Sequence, residues 1–149
     1  HTNMLALCWF PLPKRPDRSS RHRSHCWNFD SNASGDCEGA NWSKEMKGTK
    51  FKLILVSLDF PAVYEKSLIA YLNKMNIESE CVVLDDPDAN SWISQVDSSW
   101  TGAIPATVIY NGAKSMRQFH EGYMPKSKLK KTVNQMMTKS WAIFKLETT

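Results

Sequence analysis

Trp100-Thr101-Gly102-Ala103-Ile104-Pro105-Ala106-Thr107-Val108-Ile109-Tyr110 is the stretch from which the fold of this chain can be read outward. Ala106 to Tyr110 (ATVIY) has the β-branched and aromatic content of a strand. Asn111-Gly112 follows at once, a pair that favours the type I′ turn between antiparallel strands. Lys114 to Glu121 then reads as the returning strand. Toward the N-terminus, Ala89 to Val96 reads as a short helix behind the turn Asp85-Asp86-Pro87-Asp88, and Cys81 to Leu84 (CVVL) as a strand. Pro61 can open a helix, because its missing N–H costs nothing at the first position, and Leu68, Leu72 and Met75 continue it at helical spacing. Phe51 to Leu58 (FKLILVSL) has the length and branching of a strand buried on both faces. Trp42 to Lys47 reads as the end of a helix stopped at Gly48. Leu129, Val133 and Met136 or Met137 mark a last amphipathic helix with its lysines outward. Strand–helix–strand–helix–strand–hairpin–helix is the order of an α/β fold, a mixed central sheet flanked by helices.

Composition fits that reading and narrows the rest. Of 149 residues, 42% are hydrophobic and 23% charged, enough for a core of ordinary size. No apolar run approaches the roughly 20 residues that span a bilayer. Met4 to Phe10 is too short to do so. It lacks a basic stretch before it and a small-residue cleavage site after it, so it is not expected to be a signal peptide. The character of the chain changes near Asn41. Upstream come Pro11, Pro13 and Pro16, a Ser/Arg/His stretch from Ser19 to His25, and turn-forming residues from Asp30 to Ala40. The expected division is a basic, loop-rich N-terminal segment over 1–40 and an α/β domain over 41–149. Lys14, Arg15, Arg18, Arg21 and Arg23 against Asp17 give +4 in the first 27 residues, so the rest of the chain is close to neutral. A basic arm can touch nucleic acid or an anionic surface, but this composition reads as a solvated tail, and a nucleic-acid partner is not expected.

The four cysteines are Cys8, Cys26, Cys37 and Cys81. No two are three apart, which excludes both Cys-x-x-Cys and zinc-ribbon spacing. Cys81, inside CVVL, reads as a small hydrophobe. Asp86, Asp88 and Asn90 have the spacing that opens a calcium loop. Pro87 interrupts it, Ser91 stands where glycine is needed and Asp97 where a glutamate closes the loop, so these acids read as turn and cap residues. His120, alone on a strand, reads as structural. No metal and no cofactor is expected. Trp92 and Trp100 bracket the approach to Pro105 and could line a groove, with at least one of them in the core.

Leu55-Val56-Ser57-Leu58-Asp59, Trp100 to Thr107 and Phe119-His120-Glu121-Gly122 occur in that order. In this the chain resembles the TlpA/ResA-type thioredoxin-like proteins, extracytoplasmic thiol–disulfide oxidoreductases of bacteria, over about residues 41–140. The resemblance implies a thioredoxin-like fold, a periplasmic setting, and a protein or peptide thiol or disulfide as substrate. It implies a cis proline at Pro105 beside the redox cysteines, with Trp100, Ile104 and Thr107 around the substrate. A cis proline exposes the backbone of the residue before it for pairing with an extended chain.

The family also places a W-C-x-x-C motif between a strand and a helix N-terminus, where the helix stabilises the thiolate and the second cysteine resolves the mixed disulfide. Here the corresponding stretch reads Ser24-His25-Cys26-Trp27-Asn28-Phe29, at about one helix's distance before the Phe51 strand. Cys26 is the one plausible nucleophile in it. Phe29 stands at the second cysteine's position, and an Arg/Ser/His stretch stands where a strand is expected. Three origins stand open: a member that has lost its redox chemistry, one that pairs Cys26 with Cys37 or Cys8, and an altered N-terminus. Two functions follow. One is thiol–disulfide exchange, impaired or non-standard. The other is a redox-inactive module that binds an extended peptide or partner protein near Pro105.

Overall fold

The computed structural model describes residues 4–10, 42, 44–58, 62, 64–74 and 76–138. Five strands form one sheet: β1 (Met4–Phe10), β2 (Phe51–Ser57), β3 (Glu80–Val83), β4 (Ala106–Asn111) and β5 (Met116–Glu121), in the order β3-β2-β1-β4-β5. β1 runs parallel to β2, β2 parallel to β3, and β4 antiparallel to both β1 and β5. The helices are α1 (Ile69–Lys74), entered through a π-helical turn at Tyr64–Leu68, then α2 (Ala89–Val96) and α3 (Lys126–Thr138). β2, β3, α2, β4 and α3 stand where the sequence pattern places them, to within a residue or two at most ends. Pro61 and Met75, expected in the first helix, lie outside the described residues.

The departure is at β1. Met4–Phe10 lies within the segment assigned by composition to a loop-rich extension, yet it is the middle strand of the sheet. The division at residue 41 therefore does not mark the start of the fold. The physical reason is that a strand covered on both faces needs no polar alternation. MLALCWF shows none, so a run too short for a membrane is instead the length of a central strand. Met4, Ala6 and Cys8 are all buried. Residues 11–41, which hold Cys26, Cys37 and the basic cluster, lie outside the described residues.

The β4–β5 connection also differs from the expected two-residue turn. Asn111 stays extended and pairs with Met116, leaving a four-residue loop, Gly112–Ser115, that contains a 3-10 turn. The Asn111 side chain accepts from the Lys114 N–H at 3.2 Å, and its Nδ2 donates to the Met136 carbonyl near the end of α3 at 2.8 Å. A buried amide that satisfies partners in two elements outcompetes the local turn preference of Asn-Gly. Ser115 then takes the left-handed conformation, at φ 52°.

Each face of the sheet has its own core. On one, Met4, Ala6 and Cys8 of β1 meet Leu53, Leu55 and Ile109, under Leu68, Leu129, Val133, Met136 and the helical Trp42. On the other, Leu7, Val56, Ala106, Val108 and Phe119 pack against Trp92, Ile93 and Val96 of α2, and against Trp100. α2 thus covers one face, and α1 and α3 the other. Cys81, expected as a buried hydrophobe, is only partly covered, because β3 is an edge strand.

Candidate functional site at the Pro105 loop

The segment that joins α2 to β4 is fixed from several directions. At the end of α2, the Asp97 N–H donates to the Ile93 carbonyl, and the Trp100 N–H donates to the Asp97 carbonyl, both at 3.1 Å. The Asp97 carboxylate accepts from the Ser99 N–H at 2.9 Å and from Arg117 Nη1 at 2.6 Å. Partial burial pushes the Asp97 carboxyl up. Hydrogen bonds from Ser99 and Arg117, with the guanidinium charge, outweigh that and hold it below the usual carboxylate range. Arg117 in turn lies over the Tyr110 ring, 5.7 Å from its centroid, so β5 braces the helix end.

Beyond Asp97 the chain is held by an aromatic and a carboxylate. The Trp100 ring is buried. It packs edge-on against Trp92 at 5.5 Å and tilted against Phe119 at 5.9 Å, and its Nε1–H donates to the Ala103 carbonyl at 2.8 Å. One oxygen of Glu121, Oε1, accepts from the Thr101 N–H and the Ala103 N–H, both at 3.1 Å, and from the Thr101 hydroxyl. The Thr101 hydroxyl is the chief cause that holds the Glu121 carboxyl below its ordinary range, against a smaller desolvation in the other direction. Gly102, at φ +92°, lets the amides on either side of it turn toward the same oxygen.

The next peptide bond, Ile104–Pro105, is cis. The Pro105 carbonyl accepts from the Gly122 N–H at 2.8 Å. The N–H and C=O of Ile104 find no partner among the described residues, and Ile104 is 38% exposed. Tyr123, next to Gly122, is 40% exposed. Pro105 is thus flanked by an open apolar side chain before β4 and another after β5. His120 stands behind: its Nε2 donates to the Tyr123 carbonyl at 3.0 Å, and Lys128 Nζ donates to its Nδ1 at 3.2 Å. That is the structural role its lone place on a strand suggests.

Of the residues singled out from the sequence, Ile104 and Pro105 form the open part of this loop. Trp100 and Thr107 lie beneath it. Thr107 is buried and faces Cys8 across the β1–β4 ladder, its side chain hydrogen-bonded to the thiol. Both hold the loop from behind and are not at its surface. Burial pushes the Cys8 thiol up to about 12, against the smaller opposing pull of the Thr107 hydrogen bond. Cys8 therefore stays protonated under physiological conditions.

β1 also locates the place where a redox motif would follow its strand. Trp9 pairs with Ala106, so the chain leaves β1, at Phe10, alongside Pro105. The next four residues are Pro11-Leu12-Pro13-Lys14, with no cysteine. Cys26, matched to the motif by its distance from β2, lies well beyond the end of β1 and outside the described residues. Among the described residues no group of His, Cys, Asp and Glu is placed to hold a metal ion, and no helix is long and apolar enough to cross a membrane. Glu121 was legible only as part of Phe119-His120-Glu121-Gly122. Its role requires the β4–β5 register, in which Glu121 lies opposite Ala106 and so beside the loop that enters β4.

No known family profile matches the chain, and no curated protein matches it. Two solved structures from Neisseria meningitidis share its architecture. One, a thioredoxin-related protein from serogroup B, superposes with a TM-score of 0.63 at 12% identity, over 93% of this chain and 88% of that one. The other, a solution structure of a thioredoxin candidate, gives 0.59 at 14% identity, over 95% and 79%. At these identities the likeness speaks for the fold, and with the mixed five-stranded sheet flanked by helices it establishes that this chain has a thioredoxin-like fold.

Proposed function

We propose that this chain is a thioredoxin-fold binding module that recognises an extended polypeptide segment at Ile104–Pro105, with thiol–disulfide exchange impaired. The observation that carries this reading is that, among the described residues, the N–H and C=O of Ile104 have no partner. They sit in a loop whose Thr101 and Ala103 amides and whose Ala103 and Pro105 carbonyls are already engaged. One residue offering both groups is the unit by which an extended chain adds to a β edge. Two such bonds contribute only about 1 kcal/mol each. Most of the affinity therefore comes from ligand side chains packed on Ile104 and Tyr123.

Impairment of the redox chemistry is supported by the Pro-Leu-Pro-Lys sequence after β1 and by the protonated, buried Cys8. Descent from TlpA/ResA-type proteins, and a place outside the cytoplasm, belong to the same proposal and rest on the Trp100–Thr107 segment.

The test uses the full chain. Titration with reduced, carboxymethylated lysozyme, a permanently unfolded polypeptide, is expected to shift the Ile104 amide resonance in a saturable way. A flat titration would refute the reading. In parallel, reduction of a disulfide-bonded protein by excess dithiol is expected to run at the uncatalysed rate. Catalysis that disappears in Cys26→Ser and persists in Cys8→Ser would restore exchange as the function, with Cys26 as nucleophile.

A further inference from the structure

We propose that Glu121 is a positioning residue of this site: by engaging the Thr101 and Ala103 amides on one carboxylate oxygen, it fixes the loop and reserves Ile104 as the pairing point for the ligand. This rests on the reading of Ile104 as the docking residue and adds to it the device that sets the register.

An extended ligand pairs with whatever free donors and acceptors a loop presents. From Thr101 to Pro105 this loop has several backbone amides close together. Left free, those of Thr101 and Ala103 would offer rival pairing points, and the bound segment could slip among them. Glu121 Oε1 takes both, together with the Thr101 hydroxyl. Bonds to an ionised acceptor are roughly twice as strong as neutral ones. Trp100 takes the Ala103 carbonyl. Among the described residues Gly102 and Ile104 are left with both polar groups open, and of the two Ile104 is the exposed one and adjoins Pro105.

The carboxylate is held in place by the sheet and not by the loop it grips. Glu121 is the last residue of β5, paired with Ala106, and the next N–H, that of Gly122, is bound to Pro105. The loop is therefore gripped on both sides of Ile104 by the last residue of β5 and the residue after it. Gly102 supplies the reversal that brings two amides to one oxygen. This arrangement is unnecessary for closing the core, which Trp100 already does with Trp92 and Phe119. It makes sense as a device that orders the loop's polar groups.

The experiment compares the full chain with Glu121→Ala and Glu121→Gln. Amide hydrogen exchange is followed at Thr101 and Ala103, and binding of reduced, carboxymethylated lysozyme at Ile104. Glu121→Ala is expected to speed exchange at both amides by at least about tenfold and to weaken binding by about tenfold, with new shifts at Thr101 or Ala103 on titration. Glu121→Gln, which keeps an acceptor oxygen without the charge, is expected to fall between Glu121→Ala and wild type in both measurements. Faster exchange in Glu121→Ala with unchanged affinity and unchanged sites of shift would make the contact merely structural and overturn the proposal. So would unchanged exchange. A wild-type chain that does not bind overturns the Ile104 reading itself, and this inference falls with it.

Discussion

Cys8 is the described thiol nearest Pro105, and its chemistry can be tested directly. An ordinary thiol ionising at 9.0 is about one-tenth thiolate at pH 8. One pushed up to about 12 is thiolate in roughly one molecule in ten thousand. Only the thiolate attacks an alkylating reagent, so ionisation alone slows Cys8 by about a thousandfold, before steric cover by the core around it is counted. Cys81, on the edge strand β3, is only partly covered. The folded chain would be treated with iodoacetamide at pH 8 and digested, and the peptides carrying each cysteine quantified over time. Cys81 is expected to be modified while Cys8 stays intact, and the two are expected to converge in concentrated urea. Native-state modification of Cys8 within about tenfold of the Cys81 rate would refute the argument that burial silences it. The same shift has a thermodynamic consequence. Above pH 9 the unfolded chain loses this proton and the folded chain keeps it. Stability is therefore expected to fall by about 1.4 kcal/mol per pH unit from this group until pH nears 12. Cys8→Ala removes that slope.

Three further outcomes follow from the same geometry. Asn111→Ala leaves the Met136 carbonyl and the Lys114 amide without their side-chain partner. It is expected to cost about 1–3 kcal/mol in urea unfolding, and a loss under about 0.3 kcal/mol would show that water replaces the amide at no cost. Gly102→Ala places a Cβ at φ +92°, 3.3 Å from Ile93 Cδ1. The methyl can yield and the backbone cannot, so left-handed strain of about 1–2 kcal/mol decides the sign. Circular dichroism melts should show the loss, with faster exchange at Thr101 and Ala103. The folded-state values of Asp97 and Glu121 both lie below their ordinary range. Their contributions are complete above the unfolded carboxylate values and vanish as pH falls through the folded ones. Exchange at Thr101, Ala103 and Ser99 is therefore expected to lose protection on acidification before the β1 amides do, and simultaneous loss would show that the loop has no separate carboxylate latch.

Legibility in the sequence tracked how local each determinant is. β2, α2, β4 and α3 announce themselves through their own residues, by an apolar run, β-branched content or helical spacing, and their positions follow within a residue or two at most ends. β1 does not. MLALCWF is an apolar run like FKLILVSL, packed against a core on each face, but the sequence after it is rich in proline and basic residues and carries no helical spacing. Distance from β2 therefore points to Cys26, whereas the strand end that defines the motif's place is Phe10. At the site, the Ile104–Pro105 pair was legible because its signal is contiguous. The buried roles of Trp100 and Thr107, and the grip of Glu121, depend on which residue lies opposite which across β1, β4 and β5. No spacing within a single segment encodes that register.

On the proposed reading, that separation also explains how a docking loop can persist without thiol chemistry beside it. The groups that fix the Pro105 loop are Asp97, Trp100, Arg117, Glu121 and the Gly122 amide, all between α2 and the end of β5. None belongs to the segment after Phe10, where nucleophilic cysteines would stand. β1 contributes through the Cys8–Thr107 and Trp9–Ala106 pairs, which anchor the start of β4 in the sheet. A buried apolar strand fulfils that task whatever sequence follows it. Changes after Phe10 can therefore alter thiol chemistry without touching any described group that fixes Ile104. A change at Glu121 or Gly102 would do the reverse, loosening the loop with β1 and its thiol untouched. The two sides of the Pro105 loop have separate structural supports, so the proposed peptide binding and any exchange activity are expected to be separable by mutation on either side of Pro105.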